Sequence, residues 1–327
     1  MKRLSLANTP TPIEPIQFIE ADLPVNLYIK RDDMTGLGLS GNKVRKLEYI
    51  LWQALKDQVT DVITCGAIQS NHARATAMAC ARLGLDCHLF LAGQEAPEKE
   101  GNLFFEVLAG AEVRMVSGQD YDQARETMMA DWARDIEASG DKKVLVIPEG
   151  GSNPLGSFGY VRAFEEILAQ EEEMGLHFQK IALAAGSFGT YAGLVYGNAK
   201  FNAGRDLLAY NISGQAQDKL DNRLLPILEG MGQLDEAQVL VDPQSIKIRD
   251  GYQGLGYAKS RIEELEFIRD FASQTGIILD PVYTGKAMYG LVTDLLKNPD
   301  QPHQDVLFIH TGGAFGWTQA QRNMLLL

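Results

Sequence analysis

Apolar positions along the chain fall into two alternating rhythms. Short apolar runs, "DVITCGA", "CHLFLAG", "EVRMVS" and "KVLVIPEGG", read as buried strands, and helical stretches begin between them near Asn71, Gly101 and Tyr121. Ahead of the first run, Val44, Leu47, Ile50, Leu51, Ala54 and Leu55 keep helical spacing from Ser40 onward, which places Lys43, Arg45 and Lys46 in the first turns of a helix. The alternation resumes with a helix from about Ser157, the strand "KIALAAG", a helix from Thr190 and the strand "LLAYNIS". A longer helix is predicted from about Tyr257 to Thr275, another from Gly285 to Leu296, and "VLFIHTGG" reads as a late, fully buried strand. Strand and helix in turn predict right-handed crossovers, and hence an α/β fold of open, mostly parallel twisted sheets with helices on both faces. At 327 residues the chain is near the limit of one core, so a small domain at 46–154 is expected, inserted in a larger one built from 1–45 and 155–327.

Charge narrows the partners. A net charge of −13 argues against nucleic acid and anionic membrane, since both bind through a surplus of Lys and Arg, and leaves a small solute as the ligand. Pro10, Pro12, Glu14 and Pro15 break the apolar stretch that a signal peptide would need, and no later run is long enough to span a bilayer. The three cysteines show no paired metal-ligand spacing, so no metal site is expected and reduced thiols in a cytoplasmic protein are the plain reading.

Three strand-to-helix turns carry candidate chemistry. In "AAGSFGTYAGL", Gly186 and Gly189 allow close backbone approach, Ser187 and Thr190 add hydroxyls, and the helix start adds free N–H groups, so Gly186, Ser187, Phe188, Gly189 and Thr190 form a cup for a phosphate. The turn lacks the lysine of a Walker loop and the glycine spacing of a dinucleotide site, which disfavours a nucleotide-dependent enzyme. In "LSGNKVRKLEY", Lys43 sits early in a helix, where burial beside other cations would disfavour its proton and suit it to bond an aldehyde. In "CGAIQSNHARATA", Ser70, Asn71 and His72 place polar side chains and unpaired N–H groups at one helix start, an arrangement that suits a carboxylate. Three more segments, "PEGGSNPLGSFGY", "LDPVYTGKAMYGL" and "FIHTGGAFGW", end strands with glycine and polar residues. In a parallel α/β chain such endings converge on the crevice outside the carboxyl ends of the strands.

The strings "GNKVRKLEY", "GAIQSNH", "IPEGGSN", "DPVYTGKAM" and "IHTGGA", in this order, resemble the fold-type-II pyridoxal-phosphate enzymes related to the tryptophan synthase β chain, within them the branch of D-cysteine desulfhydrase and 1-aminocyclopropane-1-carboxylate deaminase. The resemblance runs from about Thr9 to Phe315 and implies pyridoxal 5'-phosphate as cofactor and a homodimer. It implies Lys43 as the lysine bonded to the cofactor aldehyde, Asn42 or Asn71 as the partner of the ring hydroxyl, and residues 186–190 as the phosphate cup. Ser70, Asn71 and His72 match the segment that grips the substrate carboxylate, Ser70 also being the acid/base hydroxyl of the deaminases. Tyr283 matches the tyrosine beside the cofactor ring, and Tyr257 a second active-site tyrosine. Where the deaminases carry Glu and Leu, this chain has Thr284, expected to bind substrate, and Thr311, expected to bind the cofactor; a carboxylate near the pyridine nitrogen would keep it protonated. A hydroxyl there leaves the ring largely neutral, a weaker electron sink than a carboxylate would give. The resemblance therefore implies α,β-elimination of D-cysteine to pyruvate, hydrogen sulfide and ammonia. Cyclopropane-acid deamination, elimination from L-cysteine, cysteate or β-chloroalanine, and a non-catalytic binder on the same fold are the alternatives.

Overall fold

The computed structural model describes residues 1–17, 23–93, 98–237, 239–298 and 304–326. In chain order the first half holds β1 (Ile13–Ile16), β2 (Asn26–Lys30), α1 (Asn42–Lys56), β3 (Asp61–Ala67), α2 (Asn71–Leu83), β4 (Asp86–Ala92), α3 (Gly101–Leu108), β5 (Glu112–Val116), α4 (Gly118–Ala138) and β6 (Val144–Ile147). The second half holds α5 (Pro154–Met174), β7 (Phe178–Ala185), α6 (Gly189–Lys200), β8 (Asp206–Asn211), α7 (Ala216–Lys219), α8 (Leu225–Leu234), β9 (Lys247–Arg249), α9 (Ile262–Thr275), α10 (Thr284–Leu296), β10 (Asp305–Ile309) and α11 (Gln319–Leu326).

Among the described residues ten strands form two sheets, a four-stranded one ordered β5-β4-β3-β6 and a six-stranded one ordered β1-β2-β10-β7-β8-β9. Every pairing is parallel except that of β1 with β2. The expected α/β architecture with mostly parallel sheets is what the chain adopts. The central strands β3 and β7 are buried almost throughout, which is why they read as continuous apolar runs rather than as alternation. Helix α1 packs Val44, Leu47, Ile50 and Leu51 into the core of the smaller sheet, while Tyr49 joins the core of the larger one. A division at residue 46 therefore runs through continuous helix.

Local signals explain the helix ends. The Ser70 and Ser117 hydroxyls and the Asn153 side chain accept N–H bonds at the starts of α2, α4 and α5, and Gly84 and Gly175 close α2 and α5 in left-handed conformation. The long helix expected from Tyr257 begins instead at Ile262. The segment ahead of it is braced by Lys286, whose buried ammonium donates to the carbonyls of Gln253, Gly256 and Lys259 at 2.7, 2.8 and 2.9 Å. Two of those carbonyls also accept local N–H bonds, Gln253 from Gly256 and Gly256 from Lys259, both at 3.2 Å, so segment 253–259 forms successive turns rather than helix.

Candidate active site

A cavity of about 470 Å³ opens at the carboxyl ends of strands from both sheets. Gly66 and Ala67 of β3, Ala92 of β4, Ala184 and Ala185 of β7 and Thr311 after β10 all line it. This is the crevice where open parallel sheets bind ligands, because helix N-termini and strand-end loops converge there.

Lys43 enters the cavity as the second residue of α1. The residue before the helix must be glycine: Gly41 has φ +91°, and a Cβ there would lie 2.6 Å from the Thr311 carbonyl oxygen. The close approach lets the Asn42 N–H donate to that carbonyl at 3.1 Å, docking the helix start against the end of β10. Lys43 Nζ donates to Asn42 Oδ1 at 3.1 Å, and Asn42 Nδ2 to Thr190 Oγ1 at 2.8 Å, so one asparagine ties the amine to the start of α6. Burial lowers the Lys43 pKa to about 8, against the opposing pull of Asp280 and Glu149.

The turn at 186–190 lies beside it. Phe188 takes left-handed backbone, φ +64°, a conformation that non-glycine residues adopt only where the surroundings impose it. Ser187 and Ser152 share a hydroxyl hydrogen bond of 2.8 Å, and the Gly189 N–H donates to Ser152 Oγ at 3.3 Å. Lys46, one turn after Lys43, donates to Ser152 Oγ at 3.0 Å and to the Gly150 carbonyl at 3.1 Å. A Cβ at Gly189 would lie 2.9 Å from its Nζ. This buried amine forms no salt bridge among the described residues, and burial, then Lys43, push its pKa well below the ordinary lysine range.

Ser70, Asn71 and His72 line the cavity at the start of α2. Ser70 Oγ accepts the Ala73 N–H at 3.1 Å, which leaves its proton free to donate. Asn71 Oδ1 accepts from Asn102 Nδ2 at 3.0 Å. The Thr64 hydroxyl lies 2.9 Å from the Ile147 carbonyl, an acceptor only, so its proton points there and His72 Nε2, at 2.8 Å, must be the donor to Thr64 Oγ1. His72 Nδ1 is then a bare acceptor, and it has no partner. Burial, with Lys43 and Lys46 nearby, holds the ring neutral by pushing its pKa well down. The imidazole thus has no hydrogen to give a carboxylate; what this segment offers one is the Ser70 hydroxyl and the free N–H groups of the helix start.

Tyr257 and Tyr283 both line the cavity, their hydroxyls 2.6 Å apart. Burial, then Tyr257, raises the Tyr283 pKa, and burial lifts that of Tyr257 to about 12, so both are phenols at neutral pH. Asp280 shapes the turn beneath them, accepting the N–H groups of Val282, Tyr283 and Thr284 at 2.9, 2.9 and 2.8 Å. Thr311 lines the cavity; Thr284 does not. The Thr284 hydroxyl donates to Asp280 Oδ1 at 2.7 Å and accepts the Asp280 N–H at 2.8 Å, which turns it away from any substrate. The expected substrate contact at Thr284 is therefore replaced by a structural one.

Residues 4–312 match the family described as PALP, pyridoxal-phosphate dependent enzyme. The chain belongs to this family. It is 40% identical over 323 residues, 95% of this chain and 78% of the other, to the bifunctional D-cysteine desulfhydrase/1-aminocyclopropane-1-carboxylate deaminase, mitochondrial, of Arabidopsis thaliana. It is 36% identical over 318 residues, 95% of this chain and 94% of the other, to the D-cysteine desulfhydrase of Serratia proteamaculans. A solved structure described as an ACC deaminase homologue superposes with a TM-score of 0.89 at 38% identity, covering 100% of this chain and 96% of that one.

The cofactor of the family fits what is here. A phosphate is held by a cation, hydroxyls and free N–H groups in one place, and the 186–190 turn supplies them with Lys46 as a cation that has no salt-bridge partner among the described residues. Such a family member would hold the phosphate there and the aldehyde at Lys43. The contacts of Lys46 and Ser152 with this turn were not legible in the sequence, although the spacing of three from Lys43 put both lysines on one helical face. Glu149, within the string "IPEGGSN", also lines the cavity, as do Tyr121, Arg125, Lys219 and Arg223, which carried no sequence signal. Among the described residues no helix is long and apolar enough to cross a membrane.

Proposed function

We propose that this pyridoxal-phosphate enzyme is a lyase that removes a β-substituent from a small amino acid, with D-cysteine, giving pyruvate, hydrogen sulfide and ammonia, as its first substrate. The observation that carries the reading is the Lys43 amine, its pKa lowered to about 8, in one cavity with the start of α2 and the hydroxyl pair of Tyr257 and Tyr283. When bound, the cofactor supplies an electron sink for the bond broken at Cα. The Ser70 hydroxyl and the N–H groups that open α2 would hold the substrate carboxylate, which fixes Cα relative to Lys43. Lys43 would take the Cα proton, and the phenols of Tyr257 and Tyr283 would meet the group leaving Cβ with a proton at hand. Elimination is favoured over opening of a carbon ring because Thr311 offers a hydroxyl where the end of β10 meets the cavity, and because Thr284, where the deaminases carry Glu, turns its hydroxyl to Asp280. A cytoplasmic homodimer is the form we propose for it.

The test is an anaerobic assay of purified holoenzyme against D-cysteine, L-cysteine, β-chloroalanine, cysteate and the cyclopropane acid, with sulfide, pyruvate and 2-oxobutanoate measured. Pyruvate with sulfide from D-cysteine, and borohydride labelling of Lys43 in the yellow protein, are expected. No pyruvate from any β-substituted alanine, or 2-oxobutanoate as the dominant product, would overturn the reading.

A further inference from the structure

Two asparagines line the cavity, and their side chains are committed differently. Asn42 is spent at both ends, Oδ1 on the Lys43 amine and Nδ2 on Thr190 Oγ1. Asn71 is spent at one: its Oδ1 accepts from Asn102 Nδ2 at 3.0 Å, while its Nδ2 makes no hydrogen bond among the described residues. Which end of an amide is oxygen follows from its partners, and here they lead back to a group that can only donate. Arg74 Nε lies 2.8 Å from Asn102 Oδ1, so that atom is the acceptor. Asn102 Nδ2 is then the donor, and its two hydrogens go to the Gln69 carbonyl at 2.9 Å and to Asn71 Oδ1. Asn71 therefore turns its amino end away from the fully buried Asn102 and toward the cavity.

The relay is itself held in place. Arg74 is fully buried; Nη1 and Nη2 donate to the carbonyls of Gly38 and Ser40, the second at 3.0 Å, and the guanidinium lies 5.2 Å from the centre of the Phe315 ring. Glu106, the carboxylate whose charge acts on Arg74, has no hydrogen-bond partner among the described residues, so it does not take Nε from Asn102. The Asn102 N–H donates to Gln69 Oε1 at 2.8 Å, and Gln69 Nε2 to the Glu100 carbonyl at 3.1 Å. At Gly101, φ +57°, a Cβ would lie 2.6 Å from the Phe315 carbonyl oxygen, so glycine lets the start of α3 come this close to the start of α2.

We infer that Asn102, oriented by Arg74, is a positioning residue: it commits Asn71 as a hydrogen-bond donor to an anionic oxygen bound in the cavity, either the ring oxygen of the cofactor or the carboxylate of the substrate. The inference needs the cofactor of the family but not the lyase reading. The amino end of an amide attracts such an oxygen and the carbonyl end repels it, so turning one amide round exchanges attraction for repulsion. The same guanidinium holds Gly38 and Ser40 just ahead of Gly41, so one buried cation sets both the donor and the approach to Lys43's helix.

The experiment uses the full chain, stripped of cofactor and reloaded, as wild type, Asn102→Asp, Asn102→Ala, Asn71→Ala and the two double variants. Three affinities are read from the visible absorbance: for pyridoxal phosphate, for its 3-deoxy analogue, which lacks the ring oxygen, and, on the holoprotein, for glycine, which brings a carboxylate but no leaving group. In Asn102→Asp the carboxylate keeps Arg74 but has no hydrogen for Asn71 Oδ1, so the Asn71 amide turns and presents its oxygen to the cavity. Asn102→Ala merely releases the amide. The expected losses are about tenfold for Asn102→Asp and about threefold for Asn102→Ala. They fall on pyridoxal phosphate but not on the analogue where the ring oxygen is the acceptor, and on glycine where the carboxylate is. Beside Asn71→Ala both losses should vanish, because no amide is left to turn. A role in folding alone predicts the opposite order, since Asn102→Ala opens a cavity and leaves Arg74 Nε bare, whereas Asn102→Asp keeps the volume and the partner. That opposite order, losses that persist beside Asn71→Ala, a loss on the analogue equal to that on pyridoxal phosphate, or no loss on any ligand would overturn the inference. Should Asn102→Asp fail to fold, the cycle of Asn102→Ala with Asn71→Ala decides. The expected affinities in a protein that makes no pyruvate from any β-substituted alanine would sink the lyase reading and leave the relay standing.

Discussion

Arg45 and Lys46 are neighbours on one helix, yet their surroundings are opposite. The Arg45 guanidinium is closed by carboxylates: Nε and Nη2 donate to the two oxygens of Asp32 at 2.9 and 2.8 Å, and Nη1 and Nη2 to those of Glu166, both at 3.0 Å. Lys30 completes the cluster with a 2.5 Å ion pair to Glu166, and Thr11 and Tyr160 hydroxyls donate to Asp32 at 2.8 and 2.5 Å. On the other face of α1, Lys43 and Lys46 reach a serine, an asparagine and a carbonyl, with no carboxylate in salt-bridge contact among the described residues. Both regions bury cations, but among the described residues only the first pairs them directly with carboxylates. A buried ion network that is internally complete holds shape, whereas one left open marks where a ligand must bring the missing charge.

The sharpest way to break the comparison is Asp32→Asn. It removes one charge from the closed network while leaving the packing volume nearly unchanged, so the Arg45 charge is left partly uncompensated. A loss of about 3–5 kcal/mol in unfolding free energy is expected, read by urea denaturation, with pyridoxal-phosphate affinity within about threefold of wild type once folded. The pH dependence has a definite sign. Burial pushes the Asp32 pKa up, but Arg45 overrides it and holds the carboxyl below its ordinary value. Its contribution is therefore complete above the ordinary aspartate range and lost as pH falls through the lowered value, and Asp32→Asn should flatten that acid limb. A destabilised variant whose cofactor affinity fell in parallel would erase the distinction between the two faces.

That distinction was only half legible in the sequence. Lys43 could be singled out because the motif around it is a string of residues with local meaning: Gly41 for the left-handed turn, Asn42 and the helix start behind it. The strands β3, β7 and β10 were legible as apolar runs for the same local reason. Which of Lys43, Arg45 and Lys46 meets a carboxylate depends on Asp32, Glu166 and Ser152, residues up to 121 positions away, and no periodicity reports such distances. β1, with Pro15 inside it, was missed because an edge strand tolerates the proline that argues against a strand. The shortened α9 was missed because the turns ahead of it are braced by Lys286, far along the chain, a contact that periodicity does not report. Thr284 was misplaced for a related reason: a motif gives the position of a residue but not which way its hydroxyl turns, and Asp280 decides that.

A smaller and more specific effect follows from Lys46→Met. The methionine keeps the volume and discards the open charge, so the apoprotein is expected to be as stable as wild type or more so, in contrast to Asp32→Asn. Affinity for pyridoxal phosphate, measured by titration of the visible absorbance, should fall by about 2 kcal/mol, roughly thirtyfold, the loss of one charge-assisted bond to the phosphate. Pyridoxal without its phosphate should bind wild type and variant alike. If both forms of the aldehyde weakened equally, Lys46 would be acting on Lys43 rather than on the phosphate.

The smallest effect tests the open face by titration. An amine attacks an aldehyde only when neutral, and burial brings Lys43 to about 8. Capture of pyridoxal phosphate by the apoprotein should then rise about tenfold between pH 7 and pH 9, as the neutral fraction goes from roughly one tenth to nine tenths, and level off above that; an ordinary lysine near 10.4 would still climb about sevenfold between pH 9 and pH 10. Glu149 favours the charged amine, so Glu149→Gln should move the midpoint below that of wild type. A rate still rising steeply between pH 9 and 10 would place Lys43 among solvated lysines. The open face of α1 would then owe its character to geometry alone, not to the burial of a cation without an anion.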